Sequence, residues 1–348
     1  MPSERVLARG RAERLAGPGP YRQALGETLA RHRAEGIDAI GLKAVHAGPD
    51  FRGVFLVNQA LLDALREFAL AAPLHNPIYL AAIGALRELA PGVPLVAALE
   101  TGFHRTMPDR AATYGLPRRW REEFGVRRYG FHGASHRYIA QRVPELLGPR
   151  RDGLRLISCH LGGSSSICAL RDGVSVDTTM GFSPQSGLEN AARHGDLDPF
   201  AVLYLMERLT LSPAEMREEL LRETGLAGIS GIPGGDLRDL ESAASPQARL
   251  ALDVFAYQVR KTIGAYAAAL GGLDAVAFTG GIGENSASLR EAGCAGLEFL
   301  GITLDPRRNR DLTGDRLVSA EGAPVAVLAL ATNEELIVAR QTCDLLWG

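Results

Sequence analysis

The 348 residues are long enough for two hydrophobic cores, and 46 % hydrophobic with 22 % charged residues is the balance of an ordinary globular chain. With 38 basic and 40 acidic side chains the net charge is −2, so there is no strong positive field for nucleic acid or for an anionic membrane. No apolar run reaches the ~18 residues of a membrane span, and no apolar signal-peptide core follows Met1-Pro2-Ser3-Glu4-Arg5, so a cytoplasmic enzyme is expected. Cys159, Cys168, Cys294 and Cys343 lack CxxC spacing, lie mostly in apolar segments and read as buried free thiols of a reducing compartment.

In chain order, residues 5–15 are rich in Arg and Ala, Gly17-Pro18-Gly19-Pro20 breaks the chain, and nothing in 1–20 reads as an opening strand. Leu25 and Leu29 predict an amphipathic helix over 21–34, followed by a core strand over 39–45 that His46-Ala47-Gly48 closes. Segments 58–70 and 77–89 read as helices, with His75 in the proline-flanked connection between them. Strand 94–99 ends at Glu100, which is where α/β sheets carry their chemistry. Segment 117–124 is charged and reads as surface, and 127–136 precedes a helix to about Leu147.

The second half opens on an apolar strand over 154–159 that runs into Gly162-Gly163-Ser164-Ser165-Ser166. Glycine lets backbone N–H groups approach an anion and the hydroxyls add donors, so this run reads as a phosphate cradle, with a plain tight turn as the alternative. Two β-prone runs, 167–170 and 174–178, flank Asp172-Gly173 and predict a hairpin. A cradle leading into a hairpin is neither GxxxxGK[ST] nor GxGxxG. Helices follow at 199–209, 213–224 and 246–270, then a strand at 274–278 that enters Gly280-Gly281-Ile282-Gly283-Glu284. That turn reads equally as a helix entry or as a nucleotide contact. After a last strand at 324–330, Thr332-Asn333 caps a closing helix with Glu334 and Glu335 in its first turn. Strands and helices alternate, glycines cluster at strand ends, and the class is α/β, in two domains with a cleft between them.

A phosphate cradle, a second glycine turn and the groups His132, His136, His160 and Arg193 near loops are parts that phosphoryl transfer needs, since catalysis there is positioning and charge neutralisation. Their setting resembles the acetokinase family. The resemblance rests on VHAG (45–48), APLHNP (72–77), FHRTMP (103–108), RRYGFHGASH (127–136), HLGGSSS (160–166), DTTMGFSP (177–184), ARHGDLDP (192–199), GGDLRDLE (234–241), FTGGIGENS (278–286) and TNEE (332–335). It implies transfer of the γ-phosphoryl of ATP, with Mg²⁺, to acetate or propionate, giving ADP and an acyl phosphate, in a homodimer that binds neither nucleic acid nor membrane. The implied fold is that of the sugar kinases, actin and heat-shock chaperone ATPases, two ribonuclease H-like domains. Here these would be residues 1–148, incomplete at the N-terminus and completed by the C-terminal helix, and 149–348, the nucleotide-binding domain.

By the same resemblance His132 matches the histidine at the transition state, Arg193 the arginine on the phosphoryl group and Glu100 the catalytic acid. Lys43 and His75 match substrate-side positions. His160, Leu161, Gly162, Gly163 and Ser164, with Asp236, Leu237 and Arg238 and with Gly280, Gly281, Ile282, Gly283 and Glu284, match ATP-contacting segments, and Glu334 the Mg²⁺-associated glutamate. The sequence departs from the family pattern in showing no opening strand with an Asn-x-Gly-Ser-Ser-Ser turn and no Lys-bearing second strand, which predicts unpaired edges in the first sheet. Lys43 stands at a substrate-binding arginine and cannot fork, Glu100 at an aspartate, and Gly163 at an asparagine. Two expectations therefore stand side by side, a carboxylate kinase and an impaired homologue that binds nucleotide or forms dimers.

Overall fold

The computed structural model describes residues 4–10, 12, 18–32, 36–148, 152–222, 224–311 and 313–348. Arg33 and Ala34 of the predicted first helix, Leu15, Gly17 and Glu223 lie outside the described residues. Helix Pro18–Arg31 opens the described fold three residues earlier than the leucine spacing predicts.

The first sheet has three strands, β1 (Ile40–Ala44), β2 (Val54–Leu56) and β3 (Leu95–Leu99), in the order β1-β3-β2. β1 runs parallel to β3 with Lys43 opposite Ala98, and β2 is antiparallel. All five residues of β3 are buried, as suits a central strand covered on both faces. The expected core strand at 39–45 is corrected: β1 is an edge strand, Gly41 is exposed and Leu42 half-buried, because β3 is its one partner among the described residues. β2 escaped the sequence reading, since three residues carry no measurable period. Leu61, Leu62 and Leu65 of helix Gln59–Glu67 and Ile83 and Leu86 of helix Asn76–Leu89 pack on this sheet.

The second sheet has six strands: β4 (Arg155–His160), β5 (Ser166–Arg171), β6 (Val174–Thr178), β7 (Ala275–Thr279), β8 (Arg316–Leu317) and β9 (Ala326–Ala329), in the order β6-β5-β4-β7-β9-β8. β4, β7 and β9 are parallel, with His160 opposite Thr279. The hairpin forms at Asp172-Gly173, whose φ values of 51° and 79° are the left-handed pair that a type I′ turn demands. The 25-residue helix Pro246–Leu270 lays Phe255, Val259, Ile263, Tyr266 and Leu270 into the core of this sheet.

Two helices are among the elements that join the sheets. Helix Glu334–Trp347 follows the last strand of the second sheet yet packs on β1, where Gly41 makes room: a Cβ there would lie 2.5 Å from Thr342 Oγ1 and 2.9 Å from Val338 Cγ1. Helix Gly133–Leu147 buries Ile139 and Val143 against Leu156, Leu170 and Leu328 of the second sheet, and its first residue meets the end of β3. The strand end itself is a 3₁₀ turn, Glu100–Thr106, rather than the open loop expected. Segment 117–124, read as surface, is helix Arg118–Phe124, and short helices at Gly225–Ser230, Leu237–Ser242 and Ala287–Cys294 add to the predicted set. Of the cysteines, Cys159, Cys168 and Cys294 are buried thiols; Cys343 is exposed, a correction to the expected burial.

A Cβ on Gly133 would collide with the Glu100 carbonyl and lie 2.9 Å from the Phe103 Cβ. Gly133→Ala should lower stability by about 1–3 kcal/mol, the scale of overpacking, read as a shift of the urea unfolding midpoint. An unmoved midpoint would contradict this close approach.

Candidate active site

The carboxyl ends of β1 and β3 face the carboxyl ends of β4 and β7, and the start of helix Glu334–Trp347 closes the gap. Lys43 projects from β1 and its Nζ lies 2.6 Å from Glu334 Oε2. Burial opposes the lysine charge, but Glu100 and Glu334 more than offset it and hold its pKa above the ordinary lysine value. Glu100 is buried and neither carboxylate oxygen has a hydrogen-bond partner; the N–H groups of Gly133 and Ala134 face it without closing to hydrogen-bond geometry. Its pKa rises to about 7, chiefly through burial, with Lys43 pulling it down and Glu334 pushing it up.

His132 stands just before helix Gly133–Leu147 with φ 55° and ψ 31°, left-handed backbone that a non-glycine residue rarely takes. Its ring stacks on His160 at 4.3 Å between centroids, and its Nδ1 lies 2.8 Å from Ser166 Oγ. His160 Nδ1 lies 2.8 Å from Ser135 Oγ. Burial, then the neighbouring His160, His136, Lys43 and Arg193, drive the His132 pKa well below the ordinary value. Burial takes His160 to about 4 despite the opposing charge of Glu334. Both imidazoles are therefore neutral at neutral pH.

Arg193 donates from Nη1 to Ser164 Oγ at 2.6 Å and to the Pro184 carbonyl at 3.4 Å, while Nη2 lies 3.3 Å from His75 Nε2. None of these partners is an acid. Burial lowers the guanidinium pKa to about 10, which still leaves it charged at neutral pH. The ring of His75 falls to about 4 through burial, then through Arg193 and Lys43, and its Nδ1 is buried without a partner. A half-buried cation held by neutral groups is a place for an anion.

The two glycine turns lie side by side. Leu161 N–H donates to the Thr279 carbonyl, and the Leu161 carbonyl accepts from Ile282 and Gly283 N–H at 2.9 and 3.1 Å. Gly280 has φ 77°, and a Cβ there would lie 2.6 Å from the Leu161 oxygen. This narrows the expected anion contacts: the Leu161, Ile282 and Gly283 N–H groups are used internally, and the Leu161 and Leu237 side chains lie in the core. Ser165 is also spent, bonding Gly162 through its hydroxyl and giving its N–H to Asn190 Oδ1. Gly163 and Gly281 remain exposed, with Ser164 beside Arg193. Asp236 and Arg238 pair with each other at 2.7 Å. Glu241, farther along the same helix Leu237–Ser242, accepts from Ser286 and Ser288, just past the second turn, at 3.0 and 2.6 Å. Burial raises the pKa of the half-buried Glu284.

Sequence reading missed Asn190 and Arg290. Asn190 is buried and props the cradle from an otherwise polar loop. Arg290 is fully buried and donates to the Gly283 and Glu284 carbonyls at 2.7 and 3.0 Å, holding the end of the second glycine turn. An arginine in an amphipathic helix reads as surface, and only its depth shows the role. Among the described residues no cluster of three or more His, Cys, Asp or Glu side chains is arranged to hold a metal, and no helix is long and apolar enough to cross a membrane.

Neutral histidines, an arginine with no acid partner among the described residues and two glycine turns at parallel strand ends make an α/β site suited to a phosphoryl group. A model of the acetokinase family matches residues 22–340, and the chain belongs to that family, whose members are phosphotransferases with a carboxyl acceptor. It is 45 % identical over 314 residues to the acetate kinase of Carboxydothermus hydrogenoformans, covering 89 % of this chain and 78 % of the relative. It is 40 % identical to that of Caldanaerobacter subterraneus over an alignment of 389 residues, covering 100 % and 95 %. The crystal structure of Porphyromonas gingivalis acetate kinase superposes with a TM-score of 0.85 at 36 % identity, covering 93 % of this chain and 84 % of that one. A propionate kinase from Francisella tularensis gives 0.85 at 33 %, covering 92 % and 82 %. The fold is that of these acetate and propionate kinases.

Glu100 carries a pH signature. Its pKa rises from the ordinary 4.5 to about 7 on folding, so the stability it contributes is full below pH 4.5 and is lost as pH climbs through about 7. Glu100→Gln should remove that loss, so that between pH 4.5 and 8 the variant gains about 3 kcal/mol on the wild type in urea titrations. A difference independent of pH would contradict a buried, unpartnered carboxylate.

Proposed function

We propose that the protein transfers the γ-phosphoryl group of ATP reversibly to acetate or propionate. A carboxylate oxygen forms the new bond to phosphorus, the bond to the β-phosphate oxygen breaks, and ADP leaves with the electron pair. The observation that carries this reading is Arg193, a half-buried cation held by Ser164 and His75 with no acid partner among the described residues, beside the stacked pair His132 and His160. Its planar fork suits the equatorial oxygens of a phosphoryl group in flight, and the neutral imidazoles can donate to the same oxygens. Lys43 and His75 face the acceptor carboxylate. Gly162, Gly163 and Ser164 and the turn Gly280–Glu284, with Asp236 and Arg238 farther out, take the nucleotide.

Mg²⁺ fits the acid pair Glu334 and Glu100, because the Glu100 carboxylate has no protein donor among the described residues and the charge of Glu334 raises its cost of ionisation. When bound, the ion neutralises phosphate charge. Two carboxylates suffice for a cation that takes its remaining ligands from phosphate and water.

In this reading residues 1–148 form one lobe, completed by the closing helix, and 149–348 the nucleotide lobe, in a cytoplasmic homodimer that binds neither nucleic acid nor membrane. Helix Pro199–Leu209 is the proposed dimer face. It buries none of its side chains in the protomer, while Phe200 is 76 %, Tyr204 61 % and Leu209 62 % exposed. The second reading, a nucleotide binder with little turnover, is favoured by one observation: the Lys43 ammonium is engaged by Glu334 and cannot fork around a carboxylate.

Purified protein with ATP, Mg²⁺ and acetate or propionate should form acyl phosphate, trapped as the hydroxamate. Arg193→Ala should reduce kcat about 10²-fold or more while ATP binding by calorimetry persists. ATP binding without acyl phosphate in the wild type would select the second reading. Light scattering should give a dimer mass that Tyr204→Glu halves; a monomeric wild type would discard the dimer face.

A further inference from the structure

His132 can meet a phosphoryl group only through Nε2, because its Nδ1 is taken by Ser166 Oγ at 2.8 Å. The same hydroxyl is shared with His136, whose Nε2 lies at 2.9 Å, and His136 Nδ1 lies 2.9 Å from Ser158 Oγ. Ser166, His136 and Ser158 are all 0 % exposed, so the row His132, Ser166, His136, Ser158 has no water to rearrange it.

Each hydroxyl has a single proton, and with neutral rings and the Ser166 proton used within the row it can run in only two directions; were Ser166 to accept from both rings, its own buried proton would have no acceptor among the described residues. If His132 Nδ1–H donates to Ser166, then Ser166 donates to His136 Nε2 and His136 Nδ1–H donates to Ser158. The Ser158 proton is then buried without an acceptor, since among the described residues its hydroxyl meets only His136 Nδ1. His132 Nε2 is also left as a bare lone pair facing the cleft. In the opposite direction Ser158 donates to His136 Nδ1, His136 Nε2–H donates to Ser166, and Ser166 donates to His132 Nδ1. Every proton is then used, and His132 Nε2 carries a hydrogen. A doubly protonated His132 is disfavoured by burial beside His160, Lys43 and Arg193.

We propose that Ser166 and His136 are positioning residues that hold His132 as the neutral Nε2–H tautomer, with its one donor aimed into the cleft. Resting on the phosphoryl-transfer reading above, this identifies what the donor is for: a hydrogen bond to an equatorial oxygen of the moving group, made without an imidazolium. The strained backbone of His132 follows from the same arrangement, because the left-handed turn is what brings Nδ1 onto a strand hydroxyl.

The test is nitrogen NMR on protein with ¹⁵N-labelled histidine at pH 7.5, with the His132 ring assigned by its loss in His132→Asn. Long-range correlations should show His132 protonated at Nε2 and bare at Nδ1. The reverse pattern, or protonation of both nitrogens, overturns the proposal, and this readout stands whether or not the protein is active. In the kinase assay Ser166→Ala should lower kcat about 10²-fold with the KM for ATP changed less than about 2-fold, and Ser166→Thr should recover most of the loss. A folded Ser166→Ala enzyme with wild-type kcat also overturns it. The expected tautomer in a wild-type protein that transfers no phosphoryl group would support the relay and refute the kinase reading alone, so the two failures are distinct.

Discussion

Removal of water from the seam between two sheets is the constraint on which the rest of this molecule depends. The seam strips hydration from Glu100, His132, His160, His75 and Arg193 together, and in each case burial is the largest cause of the perturbed pKa. The charged groups share the cost through one another, Lys43 lying 2.6 Å from Glu334 and within the field of Glu100. The imidazoles meet it by staying neutral. A site of neutral donors around a guanidinium held by neutral groups is costly to build and well matched to a transferring phosphoryl group, whose charge it can receive without reorganising.

Precision in such a site has to come from its packing. Helix Gly133–Leu147 supplies much of it: its apolar face belongs to the core of the second sheet, while its first residue abuts the last carbonyl region of the first. His132 stands between these two requirements, with its backbone in the left-handed region. The parallel pair β4 and β7 does the same for the two glycine turns. Their register sets His160 opposite Thr279, so the turns that follow must share the Leu161 backbone, and Arg290 braces the second turn from beneath.

The sequence and the structure divide this information unevenly. Strands 94–99, 154–159 and 274–278 were legible as apolar runs because strands covered on both faces carry mostly apolar residues, and the hairpin was legible because Asp-Gly accepts two left-handed residues. The family motifs further named His132, Arg193 and the glycine turns as candidates. β1 was misjudged because apolar composition reports the chance to be buried, whereas burial also needs a second strand alongside.

By itself, then, the chain determined local periodicity, turn chemistry and the inventory of reactive groups, since each depends on residues a few positions apart. Tertiary structure alone decided which of those groups are dry, which donors are already spent, and which are left free. Arg290 and Arg238 show the difference: both sit in helical segments rich in polar residues, yet one is fully buried under the second glycine turn and the other exposed beside Asp236. Burial, hydrogen-bond satisfaction and pKa depend on neighbours a hundred residues away in the chain, and only folding brings those neighbours together.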